Sequence, residues 1–249
     1  MSETPYFVSY SEALEILTTH PLSLPTEHIR LDQAFNRILS TDLASKVDDP
    51  RFDNSAMDGF AFRYKDSVKP PNRLQISQVI QAGFNDKPFP IEENQAARIM
   101  TGAPIPHGAD AILPIEQCEV TDDGSTVLLL QEGKKHFIRK QGENLRKGHA
   151  ALHRGDVLTP SSVGLCATMG HPEVPVFTKA KIAIISTGDE LRPPGQTLSD
   201  TEIYESNSFG ITGLVKWAGH DAQRYDSVLD SMEALRQKLD QAAEECDLI

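Results

Sequence analysis

Lys181-Ile182-Ala183-Ile184-Ile185-Ser186-Thr187-Gly188-Asp189-Glu190-Leu191-Arg192-Pro193-Pro194-Gly195 is the stretch that sets the fold class. Its unbroken apolar run, Ile182 to Ile185, reads as a strand buried on both faces, as in a parallel sheet. The run breaks into Ser186, Thr187 and Gly188 and then two carboxylates, Asp189 and Glu190. In an open α/β sheet ligands sit beyond the carboxyl ends of the strands, which is where these polar residues are delivered. Pro193, Pro194 and Gly195 forbid an immediate helix. A helix is predicted after Ser206 and Asn207, with Ile211, Leu214, Val215 and Ala218 as its apolar stripe and Gly219 as its stop. A weak strand follows around 222–228. Asp230 and Glu233 then read as a capping-box start to a helix carrying Met232, Leu235, Leu239, Ala242 and Cys246 on one side. A further strand begins at Asp247-Leu248-Ile249, so the chain is expected to be a truncated form of a longer protein.

Upstream, Ser9 and Glu12 form a capping box ahead of Tyr10, Ala13, Leu14 and Leu17, and His20-Pro21 ends that helix. Glu27–Arg30 is predicted as a short strand, Asp32–Ile38 as a short helix and Leu39–Ala44 as an extended exit. From Arg51 to about Lys140 the pattern is β-rich, with strands expected at Leu74–Gln81, Ala96–Met100, Ala109–Pro114 and Thr126–Gln131. Thr159-Pro160 opens another helix, with Thr as N-cap and Pro at its first position, closed by Gly170. Glu173–Phe177 reads as a strand.

Charge and composition narrow the function classes. Against 24 Lys and Arg stand 36 Asp and Glu, a net charge of −12, which argues against nucleic acid or an anionic membrane as the main partner. A small anionic ligand stays open, because a local cation reverses the local field. Cys118, Cys166 and Cys246 are far apart and in no metal-like spacing, as expected of free thiols in a reducing compartment. No apolar run reaches membrane-spanning length and no signal-peptide core opens the chain, so a cytoplasmic location is expected.

Two loops of the β-rich stretch carry unusual chemistry. Phe52-Asp53-Asn54-Ser55-Ala56-Met57-Asp58-Gly59-Phe60-Ala61 packs side chains that bond their own backbone beside a glycine; composition alone makes it a structural turn. Arg98-Ile99-Met100-Thr101-Gly102-Ala103 delivers Thr101 into a loop where Gly102 allows close backbone approach to a ligand.

Together with Gly142-Glu143-Asn144, Ser186 to Leu191 and Tyr204 to Asn207, these stretches resemble the MoeA family, the molybdopterin molybdenumtransferases, which include the E domain of gephyrin. Any one loop is a weak signal; five in order and register are specific. The resemblance implies a MogA-like parallel-sheet α/β domain, incomplete here, with an inserted β-rich domain and a small α+β linker domain in an elongated chain. The implied division is 1–26, an N-terminal helix packing on the sheet domain; 27–46 and 141–178, linker and dimerisation; 47–140, the inserted β domain; and 179–249, the MogA-like domain.

The implied activity is insertion of molybdenum from molybdate into adenylylated molybdopterin, with release of AMP and a requirement for Mg²⁺. The implied assembly is a homodimer whose site forms between two subunits, with other molybdenum cofactor biosynthesis proteins as further partners. Asp58, Thr101, Glu190 and Asp230 fall on catalytic positions, and Asp58, Glu190 and Asp230 on the positions expected to hold the cation. Ser186, Thr187, Gly188, Asp189, Ser206, Asn207 and Gly102 fall on cofactor-binding positions. Carboxylates beside anionic substrates make sense only with a hard cation between them. Arg98, Arg139, Arg146 and Lys147 are candidate anion clamps.

The chain departs from the family pattern where Asn144 replaces the usual Asp and Glu205 stands where Asp is commoner. As a truncated form, it is also expected to end before the family's Gly-Gly-Val-Ser motif and C-terminal β domain. The neutral Asn144 speaks against a cation-binding or basic role at that position. Two other readings stay open on the residues: a dimeric module that binds cofactor or partner without turnover, and a metal-dependent nucleotide pyrophosphate hydrolase.

Overall fold

Gly59–Phe62, whose first three residues read as part of a turn, form an interior strand of the principal sheet. The computed structural model describes residues 8–83 and 87–249. Four α-helices occur in the described residues: α1 Tyr10–Thr19, α2 Pro160–Thr168, α3 Asn207–Trp217 and α4 Met232–Glu245. The chain divides into two compact units. One takes the described residues up to Thr41 with His153–Val163 and Pro172–Ile249, and the other takes Asp42–Leu152 with Gly164–His171.

The second unit is built on a six-stranded mixed sheet. Its strands are β1 Gly59–Phe62, β2 Asn72–Ile80, β3 Gln95–Ile99, β4 Ala111–Pro114, β5 Cys118–Val120 and β6 Thr126–Leu129, in the order β4-β1-β3-β2-β6-β5. β2 and β3 run parallel and every other neighbouring pair antiparallel. Alternation sends Phe60, Phe62, Leu74, Val127 and Leu129 to one core and Ala61, Ile80, Ala97, Ile99 and Ile112 to another, on opposite faces of the sheet. Burial of both faces explains why β1 shows no polar alternation. Its four residues are all buried, and so short a run beside Asp58 and Gly59 gives no periodic signal. β5 was also not expected from the sequence.

In the first unit β7, Lys181–Ile184, and β8, Asp221–Arg224, pair in parallel, and Leu248 makes a further parallel bridge to Ile182. Thr26–Arg30 pairs antiparallel with Glu173–Phe177. Arg37, nearly buried, donates to Glu27 Oε1 at 2.5 Å and to the Phe177 carbonyl at 2.7 Å. The core beside β7 is small: Ala183, Tyr225 and Ala242, flanked by Ile185 and Cys246.

Several local expectations change here. Ser9 and Glu12 do form a capping box, and Thr159 Oγ1 accepts the Ser162 N–H. The Asp32–Ile38 segment is a single 3₁₀ turn, Leu31–Gln33, after which Ile38 bridges Val157. On α3 the expected buried stripe is largely exposed, with Leu214 at 63% and Ile211 at 46%. α4 is capped by Ser231, whose side chain accepts the Ala234 N–H, and not by Asp230. The chain thus enters α4 one residue later than expected.

The three thiols are free. Burial, with Glu116 nearby, pushes the Cys118 thiol up to about 12, and burial also raises that of Cys166. Among the described residues no helix is long and apolar enough to cross a membrane.

Candidate functional site

Asp58 ends the loop that leads into β1, and Thr101 opens the loop that leaves β3. Antiparallel pairing sets Gly59 opposite Ile99, so the residues just outside the pair meet. The Asp58 carboxylate accepts the Thr101 N–H at 2.6 Å and its hydroxyl at 2.9 Å, both on Oδ1. These two donors hold the Asp58 carboxyl below its ordinary value. Around this pair the loops are knotted: Ser55 N–H donates to the Ala103 carbonyl, Gly102 N–H to the Ser55 carbonyl, and Ile105 N–H to the Asp53 carbonyl. Ser55 Oγ donates to the Met57 carbonyl at 2.6 Å. The turn chemistry expected of Asp53–Gly59 is therefore real, and it also delivers an exposed carboxylate.

The segment 139–147 braces the approach to that loop. Lys140 Nζ and the Gln141 N–H donate to Asp53, and Asp48 accepts from the Gln141 amide and the Lys147 N–H. Asn144 Nδ2 donates to Asp49 Oδ2 at 2.8 Å while its own N–H donates to the Asp49 carbonyl at 3.0 Å. Arg139 is paired with Glu143.

The second group of predicted residues follows β7. Val228 N–H donates to the Ser186 carbonyl at 2.9 Å and Gly188 N–H to the Val228 carbonyl at 3.1 Å, which continues the parallel pairing past the strand ends. Asp189 Oδ1 accepts the Asp230 N–H at 3.0 Å. Gly188 has φ 148°, and a Cβ on it would lie 2.6 Å from Glu190 Oε2, so the Glu190 carboxylate folds back over a residue that only glycine leaves open. Thr187, Asp230 and Ser231 line a cavity of about 200 Å³ with Leu229, Met232 and Leu235. Ser206 and Asn207 begin α3, and the Ser206 side chain makes no cap bond.

The structure thus brings Asp58 to Thr101 in one unit and Asp189 to Asp230 in the other. Asp58 belongs to one unit and Glu190 and Asp230 to the other. Among the described residues no three His, Cys, Asp or Glu side chains gather into a metal-binding group. The donors available are carboxylate and hydroxyl oxygens, the chemistry Mg²⁺ takes, and Mg²⁺ is commonly held by one or two carboxylates plus substrate phosphates.

The sequence reading noted Glu205 only as a departure from the family pattern and gave it no burial and no role. Glu205 is only 4% exposed. Burial works to raise its pKa, but the Ser208 hydroxyl and N–H and the Ser186 hydroxyl, with Arg224 nearby, outweigh it and leave the carboxyl below its ordinary value. The available signal was a carboxylate three residues ahead of a serine at a helix start, the spacing of a side-chain cap.

Comparison with known proteins adds the family. Residues 8–170 match the model of the MoeA N-terminal region (domain I and II), and residues 183–249 match that of a probable molybdopterin binding domain. The class is therefore a protein in which MoeA-type N-terminal regions are followed by a region of the molybdopterin-binding type. The chain belongs to the MoeA family.

It is 38% identical over 235 residues to molybdopterin molybdenumtransferase 2 of Mycobacterium tuberculosis, covering 92% of this chain and 56% of that protein. To the molybdopterin molybdenumtransferase of Staphylococcus aureus it is 32% identical over 247 residues, covering 97% of this chain and 58% of that one. A crystal structure of the molybdopterin biosynthesis moeA protein from Pyrococcus horikoshii matches with a TM-score of 0.86 at 30% identity, covering 97% of this chain and 65% of that chain. The chain spans about half the length of the curated relatives it matches.

Proposed function

We propose that this chain belongs to a molybdenumtransferase that inserts molybdenum from molybdate into adenylylated molybdopterin, water cleaving the adenylate to release AMP. The observation that carries the reading is the Asp58–Thr101 pair: two loops named by the family resemblance, 43 residues apart, share one carboxylate. The family matches over both regions of the chain support it.

In this reading Asp58, Glu190 and Asp230 hold or orient Mg²⁺, directly or through water, and substrate phosphates complete its shell. The bound cation would neutralise phosphate and oxyanion charge. Thr101, already donating to Asp58 through both N–H and hydroxyl, keeps that carboxylate ionised and pointed. Gly102, Ser186, Thr187, Gly188, Asp189, Ser206 and Asn207 line the substrate. Following what the family resemblance implies, we propose that a homodimer completes the site, with one protomer giving Asp58 and its partner Glu190. The finer plan of a MogA-like sheet domain, an inserted β domain and a linker domain, the cytoplasmic location, and contact with other molybdenum cofactor biosynthesis proteins belong to the same proposal.

The test is incubation of the full-length protein with adenylylated molybdopterin, Mg²⁺ and molybdate. AMP release that depends on molybdate is the expected result, lost in Asp58→Ala and Glu190→Ala. AMP release without molybdate dependence would make the protein a hydrolase, and tight binding without release a carrier module.

A further inference from the structure

Glu205 is a buried carboxylate to which the family resemblance assigns no part. It follows the short strand Ile203–Tyr204 and precedes α3. Oε1 accepts the Ser208 N–H at 2.7 Å and the Ser186 hydroxyl at 3.1 Å, while Oε2 accepts the Ser208 hydroxyl at 2.5 Å. Arg224, whose guanidinium stacks 4.2 Å from the Phe209 ring centroid, adds an opposite charge nearby.

Burying a carboxylate is costly unless donors surround it, so a chain keeps one where it does something an apolar side chain cannot. Here the one group does two things. It satisfies the first turn of α3, the office that Ser206 at the N-cap position leaves undone. It also fixes Ser186, the residue at which β7 gives way to the loop of Thr187, Gly188, Asp189 and Glu190. Ser186 is then held twice, through its hydroxyl by Glu205 and through its carbonyl by the Val228 N–H.

We propose that Glu205 is a positioning residue that locks the Ser186–Glu190 loop to the start of α3, and that the Ser186 hydroxyl acts as its strut. The inference rests on the reading above only in taking this loop as part of the ligand surface.

The experiment compares amide hydrogen exchange at Gly188, Leu191 and Asp230, whose N–H groups bond within this loop and its neighbour, in the unmodified chain and in Glu205→Ala, Glu205→Gln and Ser186→Ala. Exchange in β1 to β4 reports whether the rest of the chain stays folded. Glu205→Ala is expected to speed exchange at the three loop amides by about tenfold or more, the factor that losing a charge-assisted bond gives. Glu205→Gln, which keeps a bonding partner for each serine group, stays closer to the unmodified chain. Ser186→Ala removes the strut and leaves the helix cap, so it loosens the loop without touching α3 even if Glu205→Ala fails to fold. Unchanged loop exchange in Glu205→Ala, or in Ser186→Ala where that variant alone folds, overturns the proposal.

A parallel titration with molybdopterin separates the two readings. Weaker binding in Glu205→Ala that Glu205→Gln restores supports both. No binding by the full-length protein sinks the functional reading, while the exchange data still decide the part played by Glu205.

Discussion

Asp58 and Asp189 are both surface carboxylates that accept a backbone N–H, from Thr101 at 2.6 Å and from Asp230 at 3.0 Å, yet what stands behind them differs. Behind Asp58 lies a six-stranded sheet with a buried cluster on each face, including Phe60 and Phe62, both wholly buried. Behind Asp189 lies a two-stranded parallel pair whose buried cluster is Ala183, Tyr225 and Ala242. The first loop is aimed by strand pairing on a packed core, and its hydrogen bonds only finish the job. The second depends on its polar bonds, which is why a buried acid such as Glu205 is found there.

The contrast breaks most directly on core deletion. Phe62→Ala should cost the unit that contains it about 3–5 kcal/mol, the range for emptying a packed aromatic site. Tyr225→Phe, which removes the hydroxyl that donates to Glu245 at 2.7 Å, should cost the other unit only about 1 kcal/mol. Urea denaturation read by hydrogen exchange in each unit measures both, and comparable losses would mean that the two loops rest on similar support.

A smaller effect is expected at the brace of the first loop. Asn144→Asp would set two carboxylates where an amide now donates to Asp49 at 2.8 Å, at a cost of about 1 kcal/mol near neutral pH, since the pair is exposed and screened. Asp49→Asn added to that variant rebuilds a donor–acceptor pair in reverse. Thermal melts of the single and double variants check this, and a double variant no better than the single would remove Asn144 from the brace.

The smallest effect sharpens the pH side. The folded chain holds the Asp58 carboxyl below its ordinary value through the Thr101 N–H and hydroxyl. The stability this contributes is present above the ordinary carboxylate pKa of about 3.9 and is lost as pH falls through the lower folded value. Thr101→Val keeps the N–H and removes the hydroxyl, so Asp58 should titrate closer to its ordinary value, upward from where it stands. Carboxyl titration by NMR reads this, and an unmoved titration would show that the N–H alone sets it.

The sequence discloses these regions unequally. Ser9 with Glu12 and Thr159 with Ser162 were legible because caps are local, decided within four residues. The strand pattern of Leu74, Ala96 and Thr126 was legible for the same reason. β1 was not, because a four-residue strand buried on both faces has no alternation to show. The exposed stripe of α3 misled because periodicity reports which residues share a face, not whether anything covers it. Asp230 misled differently: aspartate and serine both make good N-caps, the two stand side by side, and Ser231 does the capping. The meeting of Asp58 and Thr101 came from family resemblance, since no local pattern links residues 43 apart.

The free thiols have a practical consequence. Only a thiolate reacts with an alkylating reagent, and burial at Cys118 keeps the proton on to about pH 12. Cys118 belongs to the mixed sheet and Cys246 follows α4 beside Tyr225 in the other unit. Alkylation of the half-buried Cys118 near neutral pH is therefore expected to be slow in the native protein and to quicken when the mixed sheet opens, a readout built into the chain without any added label.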